Sequence, residues 1–146
     1  MDEKISKKEW NEFDFESMDF HDVRIYGICF EKEHFQLVFD IDYIFEWRFN
    51  SNINLYDEYL VASASLAFEN YTKLLIDIES DKTYDIIIDS IKRHPEIRII
   101  NSDLHESSYE IKLNCGLISF CATNFIMKLK SEIKAIDKQE LGLNNR

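Results

Sequence analysis

Residues 35–49, FQLVFDIDYIFEWRF, decide the fold. Large apolar residues occupy all eight odd-numbered positions of this stretch, and mainly polar or charged residues lie between them. Because successive side chains of a β-strand point to opposite faces, the alternation predicts one long strand with an apolar face and a mainly hydrated face. At about 3.3 Å per residue the strand would span roughly 50 Å, so we expect a bend or bulge within it.

Shorter stretches of similar character lie on both sides of this strand. Residues 23–30, VRIYGICF, are rich in β-branched and aromatic residues and predict a strand before it. Polar segments predict three hairpin loops, which fall at residues 31–34, 70–73 and 114–116. In the third loop, Gly116 can supply a positive φ.

Two stretches admit both a strand and a helix. Residues 59–69, YLVASASLAFE, alternate in character but contain Ala and Leu, which also favour helices. Residues 84–96 contain three consecutive isoleucines, which favour a strand. We expect Pro95 to end that element, because proline has no N–H to donate.

Together these patterns predict one domain, 1–146, of mainly β class, with α+β as the alternative. The expected architecture is an antiparallel β-meander curled into a sandwich or half-barrel, with short N- and C-terminal helices. Residues 1–12 are expected to form an arm or short helix that docks Trp10 on the body. Residues 128–146 are expected to form a charged C-terminal helix or tail with a frayed end.

The charge balance narrows the classes of partner. The 28 acidic and 17 basic residues give a net charge of -11. Such a chain is repelled by phosphate backbones and by anionic lipid, so we expect neither nucleic-acid nor membrane binding. The same charge suits a basic protein partner, although solubility alone also explains it.

The cysteines and the N-terminal residues predict a cytoplasmic location. Cys29, Cys115 and Cys121 are odd in number and contain no CxxC pair, as expected for reduced thiols. Cys29 shares its strand parity with Val23 and Ile25, so we expect it to be buried. The N-terminal residues lack the apolar core of a secretory signal.

No signature motif for nucleotide, zinc or serine chemistry is present in the sequence. It contains no GxGxxG, GxxxxGK[ST], HExxH or GxSxG, and its three glycines leave little scope for a phosphate-binding loop. We therefore predict no cofactor and no catalytic residue.

The polar face of the long strand supplies the predicted partner-binding residues. Asp40, Asp42 and Glu46 carry negative charge on that face, and Tyr43 and Trp47 are large residues of the kind that anchor interfaces. These five residues predict a docking site for a basic protein. A hydrated strand face without a partner is the alternative.

A weaker candidate site is a divalent metal centre. His21, Asp22, Asp40 and Asp42, joined by Asp77, supply imidazole and carboxylate ligands if the fold brings them together. This alternative predicts a small metal-binding protein or a metal-dependent hydrolase. The ordinary interpretation is that these residues cap a turn and line a hydrated strand.

Four segments also carry a resemblance. FDFESMDFHDVRIYGICF, FQLVFDIDYIFEWRF, VASASLAFENYTKLLIDIE and GLISFCATNF resemble a family of small acidic bacterial cytosolic proteins, over residues 13–125. Small, acidic, single-domain proteins of this type resemble immunity proteins, which neutralise a cognate toxin. The resemblance implies a non-enzymatic partner-binding role and assigns no site residue. A structural homodimer is a further alternative.

Overall fold

The computed structural model describes residues 7–79, 81, 85–101 and 104–146, without the side chains of 95–101 and 104. These residues form ten antiparallel strands of one curled, unclosed sheet, so the mainly β prediction is confirmed. The strands are β1 (Glu9–Asn11), β2 (Val23–Glu31), β3 (Gln36–Asn50), β4 (Leu55–Glu69), β5 (Thr72–Ile78), β6 (Ile86–Asn101), β7 (Leu104–Leu113), β8 (Gly116–Ala122), β9 (Asn124–Leu129) and β10 (Lys134–Ile136). Their order in the sheet is β1-β9-β4-β3-β2-β6-β7-β8-β5, and β10 pairs with β4.

Strand β3 is the long strand that the alternation predicts. The odd-numbered residues from Leu37 to Tyr43 are buried on its inner face, towards the core. The pairing of β3 with β4 shifts register between Ile44 and Glu46 and again after Arg48. The predicted irregularity is therefore present. It also changes the alternation, because a bulge inserts an extra residue and reverses the faces beyond it.

The sheet turns at a corner where β4 is followed by β5 and, beside them, β8 is followed by β9. Strand β4 pairs with β9 up to the pair Glu69–Asn124, and β5 pairs with β8 from the pair Thr72–Cys121 onward. Asn70 adopts φ 52° at this corner, and its side-chain amide donates to Thr123 Oγ1 at 3.0 Å. The chain thus passes from one half of the sheet to the other. A hairpin at residues 70–73 was the wrong prediction, since β4 and β5 do not pair with each other.

The two halves pack their inner faces into one aromatic core. Phe39 of β3 and Phe68 of β4 meet Phe120 of β8 at ring-centroid distances of 6.4 and 4.7 Å. From the segment before β2, Phe15 and Phe20 enter the same core, whereas Phe13 remains 86% exposed. This arrangement gives the sheet the face-to-face packing of a sandwich.

Both ambiguous stretches form strands in their described residues, from Leu55 in β4 and from Ile86 in β6, but Pro95 does not end β6. The pairing of β6 with β7 is irregular between His94 and Arg98, and Pro95 lies within that irregularity. In addition, β2 pairs only with residues 86–88 of β6, so the later part of β6 has a free edge among the described strands. A bulged edge position tolerates proline because no ladder N–H is required there.

The terminal segments contain less helix than expected. Within 1–12, residues 1–6 lie outside the described residues, and β1 places the buried Trp10 against Phe45. Within 128–146, β10 is a strand, and only a 3₁₀ turn at Leu143–Asn145 is helical. A 3₁₀ turn also lies before β2, at Phe15–Ser17. In the part of the chain that is described, no helix has the length and apolar content to span a bilayer.

Candidate functional site

The outer face of β2, β3 and β4, opposite the core, carries acidic and apolar residues that the chain itself covers. The C-terminal segment, residues 134–146, begins with β10 beside β4 and then crosses this face. Its Leu141 is buried, and Arg146 has a side chain only 11% exposed. A frayed end was therefore the wrong prediction for these residues.

Arg146 binds both aspartates of the predicted docking face. Its Nη1 lies 2.8 Å from Asp40 Oδ2, and its Nε lies 3.0 Å from Asp42 Oδ1. Hydrogen bonds between charged partners of this kind are about twice as strong as neutral ones. The hydrogen bond with Asp40 raises the pKa of Arg146, and the guanidinium in turn lowers the pKa of Asp40.

Three further groups complete the surroundings of this guanidinium. Nη2 of Arg146 donates to the Ile41 carbonyl oxygen at 3.0 Å and to Ser63 Oγ at 3.1 Å. The Tyr26 ring centroid lies 3.7 Å from the guanidinium carbon, which is a cation–π distance. We call this set of groups the arginine socket: Tyr26, Asp40, the Ile41 carbonyl, Asp42 and Ser63.

Asp42 is fully buried, and both of its carboxylate oxygens accept hydrogen bonds. Oδ2 accepts from the Tyr26 hydroxyl at 2.6 Å and from the Leu141 backbone N–H at 2.8 Å. Burial raises the pKa of Tyr26 to about 12, and the hydrogen bond to Asp42 adds to the rise. Tyr26 is consequently a neutral donor at physiological pH.

Beside the socket, the outer face is apolar. Ile44, Val61 and Leu141 form a small buried cluster, with Trp47 and Tyr59 packed against it. Trp47 is on this face because the bulge after Ile44 reverses the strand parity. The C-terminal segment thus covers an apolar patch adjoining two acidic side chains.

The tip of the β3–β4 hairpin, residues 46–58, projects beyond this patch. Strand β2 pairs with β3 only as far as Asp42, and β10 reaches β4 only as far as Tyr59. No other described strand lies beside the tip. Four of its five large apolar side chains, all except Trp47, are each more than half exposed: Phe49, Ile53, Leu55 and Tyr56.

Charged residues accompany these apolar side chains on the tip. Arg48 pairs with both Glu46 and Glu58, and Asp57 accepts from the Asn50 amide at 2.8 Å. Three carboxylates against one guanidinium leave the tip acidic. Phe49 and Tyr56 are cross-strand partners with ring centroids 5.2 Å apart.

The predicted partner-binding residues fall on different surfaces. Asp40, Asp42 and Trp47 share the outer face, and Glu46 lies on the tip. Tyr43 points to the opposite side, where it is buried and its hydroxyl accepts the Asp19 N–H at 3.2 Å. Tyr43 thus shares the parity of the core and lies apart from the other four predicted docking residues.

The metal candidates lie at three separate places. His21 Nε2 lies 3.5 Å from Asp22 Oδ2 beside β6, whereas Asp40 and Asp42 are engaged by Arg146. Asp77 is exposed on β5 in the other half of the sheet. Within the described residues, no three His, Cys, Asp or Glu side chains are grouped to hold a metal ion.

Cys29 is exposed, contrary to the prediction from its parity. The pairing of β2 with β3 shifts register between Ile25 and Gly27. This bulge turns Ile28 towards the core and Cys29 away from it. Of the other cysteines, Cys115 is half-buried and Cys121 is buried.

Acid is expected to abolish the stability contributed by Asp40. Its pKa lies below the ordinary 3.8 when folded, so its carboxylate stabilises the fold above about pH 4, and that contribution is lost as pH falls through the lowered value. The melting temperatures of the native protein and Asp40→Asn should therefore differ at about pH 7, and the difference should shrink as pH falls below about 4. Thermal melts followed by circular dichroism measure this difference, and a gap that stays constant across the range would contradict the prediction.

Comparison with known proteins gives no relative: no family model, curated protein or solved structure matches the chain significantly.

Proposed function

We propose that this chain is a non-enzymatic protein-binding module of the cytoplasm, which docks a basic protein through the hairpin tip and the adjoining outer face. Within this class, we propose that the chain is an immunity protein, which neutralises a cognate toxin by occluding it. The observation that carries the proposal is the hairpin tip, where Phe49, Ile53, Leu55 and Tyr56 are exposed beside three carboxylates.

The exposed aromatic pair supports a docking role on energetic grounds. A two-stranded hairpin without a third strand is only marginally stable and buries little of its own apolar surface. Exposed apolar groups clustered in one place are typical of interaction sites. Phe49 and Tyr56 are held against each other, so a partner gains their area at low cost in side-chain entropy.

Charge identifies the kind of partner. The tip is acidic, and the whole chain has a net charge of -11. A basic partner would be attracted over a distance of about 10 Å at ordinary salt, and acidic competitors would be repelled. This complementarity raises the association rate and selects the partner.

The test is co-expression of the tagged chain with the basic protein encoded beside its gene. We expect a complex at low salt and relief of any toxicity of that protein. Replacing Phe49 and Tyr56 together by Ala should weaken binding by about 30-fold or more, as for central interface residues. Isothermal titration measures the affinity.

Phe30→Ala is the matched control. Phe30 is 54% exposed, close to the 53% of Phe49, but it lies at the other end of the β2–β3–β4 meander. Its replacement should leave the affinity unchanged. Failure to form a complex at low salt, or equal weakening by the control, would contradict the proposal.

A further inference from the structure

We propose that the arginine socket is a recognition site for the arginine side chain of a protein partner, which Arg146 fills in the free chain. The C-terminal segment would then be an internal competitor for part of the docking surface. The identity of the partner rests on the proposed function, whereas the affinity of the socket for an arginine side chain does not.

The geometry of the whole socket favours a guanidinium, although Asp40 also accepts from the Lys130 ammonium at 3.1 Å. Asp40 presents both carboxylate oxygens to the two terminal nitrogens of Arg146, and Asp42 accepts from Nε. Tyr26 offers its ring face to the planar group. Planar, forked donors and aromatic stacking are properties of arginine that lysine lacks.

The socket is anchored in the sheet, independently of the C-terminal segment. Asp40, Asp42 and the Ile41 carbonyl belong to β3, and Ser63 and Tyr26 belong to the adjacent strands β4 and β2. Pairing among these three strands therefore positions the residues of the socket whether or not Arg146 is bound. A site arranged in advance in this way binds a ligand from another molecule as well as one from its own chain.

The C-terminal segment is held more weakly than the strands beneath it. Its regular pairing is limited to the three residues of β10, and Leu141 is its one buried apolar side chain. Residues 137–140 line a cleft of about 430 Å³ together with Arg24 and Tyr59, and Glu140 Oε2 accepts from Arg24 Nη1 at 2.6 Å. Segments with few buried apolar contacts open at a lower free-energy cost than the core strands do.

Displacement would also join two surfaces. Release of the segment uncovers Ile44 and Val61 beside Trp47 and Tyr59. Ile44, Val61 and Tyr59 adjoin the hairpin tip in sequence, and Trp47 belongs to it. The socket, the uncovered patch and the tip then form one acidic and apolar docking surface for a partner that brings its own arginine.

The test uses the full chain with Arg146→Ala and N-acetyl-L-argininamide as the probe. Titration followed by the amide resonances of Leu141 and Gly142, which contact Asp42 and the Tyr26 hydroxyl, should show saturable binding. The native chain should require at least about tenfold more probe, because a tethered arginine competes at an effective concentration in the millimolar range. N-acetyl-L-lysinamide should bind Arg146→Ala at least about tenfold more weakly than the arginine probe does.

Two further variants keep the test decisive. Arg146→Lys retains the charge and guards against a folding defect in Arg146→Ala, and it should also bind the probe more tightly than the native chain. Adding Asp40→Asn to Arg146→Ala should abolish binding. Equal affinity in native and variant chains, equal binding of the lysine probe, or no binding by a folded variant would overturn the inference. Such an outcome leaves the hairpin test of the proposed function unaffected.

Discussion

Phe68→Ala is expected to lower the free energy of unfolding by about 3–5 kcal/mol, the largest effect that we anticipate for the fold. Phe68 is fully buried where the two halves of the sheet meet. Its ring contacts Phe120 and Tyr109 at centroid distances of 4.7 and 4.9 Å. Its loss removes contacts from both halves and leaves a cavity that close-packed neighbours fill only in part.

Chemical denaturation of the native and variant chains measures this effect. Phe13→Ala makes the same chemical change at a side chain that is 86% exposed, and it should alter stability by no more than about 0.5 kcal/mol. Similar values for the two variants would show that the halves do not pack through Phe68.

Asp42→Ala is expected to destabilise the chain by about 3 kcal/mol or more. The substitution removes the fully buried carboxylate that faces Arg146. It also leaves the Tyr26 hydroxyl and the Leu141 N–H without their acceptor. Unpaired groups of this kind are costly when they remain in a dry environment.

Tyr26→Phe serves as the control for Asp42→Ala. It removes two hydrogen bonds of the hydroxyl, to Asp42 and from the Gly142 N–H, but keeps the ring and both charges, so it should cost only about 1–2 kcal/mol. Denaturation curves of both variants give the comparison. A loss for Asp42→Ala no greater than that for Tyr26→Phe would mean that the carboxylate is not held as the structure shows.

The fold class could be predicted from residues 35–49 because apolar and polar side chains alternate with a period of two residues in a half-buried strand. The bulges of β3 and β2 could not be located in the same way. They depend on pairing between distant residues, and each reverses the faces beyond it. This is why Cys29 and Trp47 lie on faces opposite to those that their parity predicts.

The bend between β4 and β5 was missed for a related reason. Asn70 and its polar neighbours resemble a hairpin loop locally. Whether the next strand pairs with β4 or continues around a corner is decided by β8 and β9, some fifty residues later in the chain. Short-range turn chemistry contains no information about that choice.

The candidate site could be predicted only in part. Asp40 and Asp42 were chosen for their charge, and the structure places both in the socket. Their partner, Arg146, lies more than one hundred residues away in the sequence. The composition of the segment around it predicts a charged, frayed tail. One signal was present: an aspartate amid the apolar residues of β3 needs a donor once it is buried.

The socket is tested most directly by amide hydrogen exchange at Leu141 and Gly142 near neutral pH. We predict slow exchange in the native chain, because the two N–H groups donate to Asp42 and to the Tyr26 hydroxyl. In Arg146→Ala, exchange at both positions should accelerate by about tenfold or more, while the amides of β3 stay protected. Exchange at the rate of an exposed amide in the native chain would contradict the docking of the C-terminal segment on the outer face.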